Sequence, residues 1–176
     1  MTLRVVFRAD ASVLIGTGHI MRCLAMAEAL RQRGAECSFI TRDLPGHLGA
    51  VIEDRGYSLS LLKAPSGLGP LVPPDHAAWA GVTWQQDLAD TQATISEADW
   101  LVVDHYSFDE RWQDGIKNHV SRIMVIDDLA DRFHSADLLL DQNLGRTEAD
   151  YDGLVPEDCL RLIGPDHALV GPQFAR

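Results

Sequence analysis

Apolar positions along this chain follow two periodicities that take turns. Leu3-Arg4-Val5-Val6-Phe7 is β-branched and apolar and predicts a first strand, whereas Ile20, Leu24, Ala27 and Leu30 fall at offsets of four, three and three, one face of a helix. Arg31-Gln32-Arg33-Gly34 supplies basic residues and a glycine stop for that helix. Cys37-Ser38-Phe39-Ile40 reads as the second strand, residues 48–55 as a short helix closed by Gly56, and Tyr57-Ser58-Leu59-Ser60-Leu61 as the third strand. Residues 64–74 hold Pro65, Gly67, Gly69, Pro70, Pro73 and Pro74, too many breakers for a regular element, and predict a surface loop. Helical character resumes over 84–95, with Thr83 as its N-cap.

Three short unbroken apolar runs follow, and each ends on an aspartate. These are Trp100-Leu101-Val102-Val103 before Asp104, Ile123-Met124-Val125-Ile126 before Asp127, and Leu138-Leu139-Leu140 before Asp141. Runs of this kind suit central parallel strands buried on both faces. A helix over 110–119 separates the first two, weakened by Gly115. The alternation predicts one domain over residues 1–176 of the α/β class, a Rossmann-like, doubly wound parallel sheet.

Ligands of such sheets bind outside the carboxyl ends of the strands. That rim would gather Arg8 and Asp10, then Asp104, His105 and Tyr106, then Asp127 and Asp128, then Asp141, Gln142 and Asn143. A single aspartate after a strand is more often a turn former or cap than a functional group. The stretch from Arg8 to Cys23 carries more information. Gly16-Thr17-Gly18 lets backbone approach a ligand, the opening turn of the helix favours an anion, and His19 in that turn could exchange a proton beside it. The same pattern also serves as plain turn chemistry, with a histidine that merely packs.

Composition narrows the candidates. A formal charge of −11 and an isoelectric point near 4.9 disfavour nucleic acid or an anionic membrane as the main partner, so any anion must be held locally. Three cysteines without a C-x-x-C pair, no apolar run of spanning length and no signal-peptide pattern lead to the expectation of a cytoplasmic protein without membrane insertion. A dinucleotide fingerprint fails because Met21 stands at the third glycine's place, and a Walker loop fails because the two lysines, Lys63 and Lys117, lie in no such motif. The seven histidines form no metal-ligand spacing, which predicts no structural zinc and leaves open a magnesium ion on two rim aspartates.

Taken together, these segments resemble the N-terminal half of the nucleotide-sugar hydrolases of pseudaminic acid biosynthesis, which are related to GT-B glycosyltransferases. The resemblance is carried by Arg8-Ala9-Asp10-Ala11-Ser12 with Ile15-Gly16-Thr17-Gly18-His19-Ile20-Met21-Arg22-Cys23-Leu24, and by Trp84-Gln85-Gln86-Asp87. It continues through Asp104-His105-Tyr106, Ile126-Asp127-Asp128, Leu140-Asp141-Gln142-Asn143 and Tyr151-Asp152-Gly153-Leu154. It implies a UDP-sugar substrate, here a diacetamido-trideoxy sugar, cleaved by water at the anomeric carbon without metal or cofactor. His19 would be the base, the backbone of Gly16, Thr17 and Gly18 would approach the diphosphate, and Asp10, Tyr106 and Asn143 would shape the sugar pocket. It further implies a GT-B type two-domain architecture, with a C-terminal nucleotide-binding domain expected after residue 176. Two alternatives stay open: a GT-B glycosyltransferase in which an acceptor hydroxyl replaces water, and a non-catalytic nucleotide-sugar-binding domain.

Overall fold

Why the three aspartate-terminated runs are continuous becomes plain in the sheet they build. In the computed structural model, which describes residues 2–67 and 76–171, seven strands form one all-parallel sheet. They are β1 (Arg4–Ala9), β2 (Glu36–Arg42), β3 (Ser58–Leu62), β4 (Ala98–Asp104), β5 (Val120–Ile126), β6 (Leu138–Asp141) and β7 (Leu160–Ile163). Their order is β3-β2-β1-β4-β5-β6-β7, so the chain runs outward from β1 to β3, then crosses back to lay β4 against the other side of β1. This is an α/β Rossmann-like fold with its topological switch between β1 and β4.

Side chains of the strands alternate between two apolar cores. One face carries Val5, Phe7, Val102, Met124 and Ile126 under α1 (Gly18–Arg31) and α2 (Gly49–Asp54). The opposite face carries Val6, Leu101, Val103, Ile123 and Val125, with Leu88 of α3 (Trp84–Gln92) and Trp112 and Ile116 of α4 (Glu110–Ile116) packed on it. Helix α1 buries His19, Ile20, Cys23, Leu24 and Ala27 along one stripe, which pins its N-terminus over the carboxyl ends of the strands. Complete burial of side chains such as Ile20 and Leu24 is worth about 1.5–3 kcal/mol each.

Several elements differ from the sequence reading for local reasons. Strand β1 runs on to Ala9, so Arg8 lies inside the sheet rather than at its rim. Helix α3 stops at Gln92, and Thr83 does cap it, accepting from the Gln86 amide at 3.2 Å. Helix α4 tightens into a 3-10 turn over Lys117–His119. Gly115 has a packing reason, since a Cβ there would stand 2.2 Å from a methyl of Leu88. Strand β7, which sequence reading did not anticipate, pairs with β6 from Leu138↔Leu160 to Asp141↔Ile163. The loop expected over 64–74 falls outside the described residues from position 68 onward. Cys23, Cys37 and Cys159 are buried thiols, and among the described residues no helix is long and apolar enough to cross a membrane.

Candidate active site

The β1–α1 connection is held by its own short bonds. Ser12 Oγ accepts from the amides of Leu14 and Ile15 at 3.1 and 3.0 Å, and the Gly16 amide donates to the Ser12 carbonyl at 2.8 Å. Gly16 sits at φ +79°, a conformation that glycine adopts without penalty. Thr17 precedes α1 without a side-chain cap, and no acidic residue stands in the first turn. The opening amides of a 14-residue helix are therefore free to meet an anion.

His19, at the second position of α1, is held by a residue 85 positions later in the chain. Its Nδ1 lies 2.5 Å from Oδ1 of Asp104, which terminates β4 directly across from Ala9 of β1. A carboxylate only accepts, so Nδ1 carries the shared proton, and in the neutral ring Nε2 then keeps its lone pair. Among the described residues no group hydrogen-bonds Nε2, and His19 lines a cleft of about 910 Å³. The Asp104 carboxylate is clamped by Arg22, with Nε to Oδ2 at 2.6 Å and Nη2 to Oδ1 at 2.7 Å. Burial alone would raise the Asp104 carboxyl, but His19 and Arg22 outweigh it and hold that group well below the usual carboxylate range.

Arg22 also reaches Asp128 through Nη1 at 2.7 Å. Asp128 accepts the Tyr106 hydroxyl and, at 2.9 Å, the Asn143 amide. Burial first, then Asp128, pushes the Tyr106 phenol above its ordinary range, so it acts as a donor and a wall rather than as a base. Its ring meets His19 edge-on, centroids 4.6 Å apart, and Trp79 packs against it with centroids 5.6 Å apart. Trp79 belongs to a 3-10 turn, Ala77–Ala80, held by Ser107: its hydroxyl donates to the His76 carbonyl at 2.5 Å and accepts from the Ala80 amide at 3.1 Å.

Of the residues singled out from sequence, Gly18, His19, Tyr106, Asp128 and Gln142 line this one cleft, with Ile15, Met21, Arg22 and Trp79. Gly16 and Thr17 are exposed on the loop leading into it. Asn143 stands behind Asp128, its amide divided between Asp128 and Asp141. Asp10 is elsewhere. Its carboxylate is fully buried and occupied by Arg8 at 2.6 and 3.0 Å, the Arg42 amide at 2.7 Å and the Thr41 hydroxyl at 3.0 Å. The expected sugar contact of Asp10 thus meets a group with no surface to offer a ligand.

Arg8 and Arg42 in turn share Asp87 of α3, at 2.6 and 2.7 Å, and Trp112 donates to the same carboxylate at 3.1 Å. His105 belongs to this interior network rather than to the cleft. Its Nδ1 accepts from the Ser107 amide at 3.0 Å, which leaves the proton on Nε2, 3.0 Å from Asp10. Burial lowers its tendency to charge. Asp104 and Asp128 stood in the sequence only as members of the strand-end rim, without the partners they take here, and Arg22 and Trp79 had no assigned role; the signal available was that Asp104 ends a strand at the switch point.

The remaining rim aspartates are committed within the fold. Asp127 is paired with Arg132 at 2.8 Å and Asp141 with Arg146 at 3.1 Å, while the Tyr151 hydroxyl sits between them at 2.9 and 2.8 Å.

Fold and site together define a Rossmann-like domain with an uncapped helix N-terminus and a His–Asp dyad at its topological switch. The chain is 28% identical, over 175 residues and 98% of its length, to the UDP-2,4-diacetamido-2,4,6-trideoxy-beta-L-altropyranose hydrolase of Campylobacter jejuni, a distant relative. It spans 53% of that protein's length. No family model matches the chain.

Proposed function

We propose that this chain is the base-bearing domain of a nucleotide-sugar hydrolase that releases UDP from a UDP-linked diacetamido-trideoxy sugar, in nonulosonic acid or surface polysaccharide biosynthesis. The observation that carries the reading is the dyad itself: a histidine whose Nδ1 is pinned to a buried aspartate and whose Nε2 is left for a cleft beside the N-terminus of α1. Nε2 would take a proton from water as the water attacks the anomeric carbon, and the first-turn amides of α1 would stabilise the charge arriving on the departing diphosphate. Tyr106 and Trp79 supply apolar surface for a deoxygenated, acetylated sugar.

In this reading the nucleoside is held by a second, C-terminal domain in a GT-B type arrangement. The similarity to a hydrolase about twice as long supports that arrangement. No step needs a metal, because Asp104, Asp127 and Asp141 already face arginine, histidine or tyrosine partners. The test is UDP release from the diacetamido-trideoxy UDP-sugar by the protein carrying this domain, without any acceptor and with EDTA present. Turnover under those conditions is expected. Activity that needs an acceptor alcohol would make the protein a transferase, and activity restored only by magnesium would replace the mechanism.

A further inference from the structure

Arg22 makes three hydrogen bonds and divides them between two carboxylates. Nε and Nη2 take both oxygens of Asp104 at 2.6 and 2.7 Å, a planar fork on a planar carboxylate, while Nη1 reaches Asp128 at 2.7 Å. Arg22 lies three residues after His19 on α1, so clamp and imidazole ride on one rigid helix. Asp104, buried at the end of β4, has few other restraints on its side chain. His19 occupies one oxygen, and the nearest further donor is the weak thiol of Cys23 at 3.7 Å. A carboxylate with a single partner can rotate about its terminal bond, and an imidazole tied to it turns as well.

We infer that Arg22 is the positioning residue of this site. By fixing the plane of Asp104 it holds the His19 ring with its proton on Nδ1 and Nε2 toward the cleft. Through Asp128 it also locks that dyad to Tyr106 and Asn143, which donate to the same carboxylate. Plain charge compensation would ask less. Two carboxylates, Asp104 and Asp128, flank one cation, and a lysine ammonium could neutralise them as well as a guanidinium does. Only the fork fixes an orientation, which makes Arg22→Lys the variant that separates the two roles.

The measurement is the pair of ring-nitrogen signals of His19 in the 15N-labelled 176-residue chain. The wild type is expected to show one set, with the proton on Nδ1. Arg22→Lys should broaden it or add a second set with the proton on Nε2. A Lys variant that keeps the wild-type set overturns the inference. Should that variant fail to fold, the wild type still decides. The Arg22 Nε–H signal should be resolved, protected from solvent exchange and close to the His19 ring, and a freely rotating guanidinium overturns the inference.

A kinetic arm rests on the proposed hydrolase reading and is separable from the first. In the active protein, Arg22→Lys should lower kcat roughly a hundredfold, the scale of a small misplacement of a reacting group, with KM little changed. A kcat restored by lysine would overturn the positioning role even if hydrolysis itself is confirmed. A protein that releases no UDP would remove the hydrolase reading and leave the spectroscopic result standing.

Discussion

At the scale of single residues, two histidines of similar promise take opposite roles because of what their second nitrogen meets. His19 gives Nδ1 to Asp104 and keeps Nε2 for the cleft, whereas His105 spends Nδ1 on the Ser107 amide and has Nε2 buried 3.0 Å from Asp10. On the proposed hydrolase reading, Asp104→Asn and His19→Asn should therefore each lower UDP release by roughly two to four orders of magnitude, the range of a positioned acid–base group. His105→Asn should leave turnover per folded molecule near wild type and lower the melting temperature instead. Steady-state kinetics beside thermal denaturation of the three variants checks this, and a His105 variant that loses turnover while keeping its stability would reverse the assignment. The place of His19 at the head of α1 was legible in sequence from two glycines and a helix start. Its partner was not, because 85 residues separate the pair and only the crossover from β3 to β4 brings them together.

At the scale of elements, what was legible followed from burial. β4, β5 and β6 sit inside a parallel sheet covered on both faces and therefore read as unbroken apolar runs. β7 is an edge strand, exposed at Leu160 and interrupted by Arg161, and its pattern is that of a loop. Gly115 read as a weakness of α4 because propensity was the only term visible. Its contact with Leu88 adds the opposing one, since α3 and α4 meet there. Gly115→Ala gains about 1 kcal/mol of helix propensity and loses about 1–3 kcal/mol to overpacking, so it should be neutral to destabilising. With Leu88→Ala in place the clash is gone, and the same change should stabilise by about 1 kcal/mol. Urea denaturation of the four proteins of this cycle measures the coupling, and strictly additive effects would show that Leu88 is not what demands the glycine.

For the molecule as a whole, the interior network joins β1, β2, α3 and β4 through two arginines and two aspartates, with His105 as its neutral fifth member. Such networks add little net stability over an apolar core, but removing one partner typically costs about 3–5 kcal/mol because a buried charge is left alone. Arg8→Met, which strands Asp10 and half of Asp87, should destabilise by about that much in urea.

The same burial sets how stability depends on pH. Asp10, Asp104 and Asp127 all titrate below their ordinary 3.8 in the folded protein, because the pull of Arg8, of His19 with Arg22, and of His134 with Arg132 outweighs desolvation. Below about pH 4 the unfolded chain takes up these protons and the folded protein does not, so stability present above that pH is lost as pH falls. Three such groups give a slope of about 4 kcal/mol per pH unit. His105 acts at higher pH. Burial lowers it from its ordinary 6.5, so between about 6.5 and its folded value the unfolded state alone binds that proton, and stability declines by up to about 1.4 kcal/mol per unit on acidification. Acidification also relieves self-repulsion at a net charge of −11, which opposes the trend. The repulsion is nearly common to wild type and His105→Gln, so the difference between their unfolding free energies isolates the histidine. Urea titrations from pH 7.5 to pH 4.5 should show the wild type losing stability relative to the variant as pH falls. A constant difference across that range would mean that His105 is equally charged in folded and unfolded chains, and that burial does not hold it neutral against the pull of Asp10.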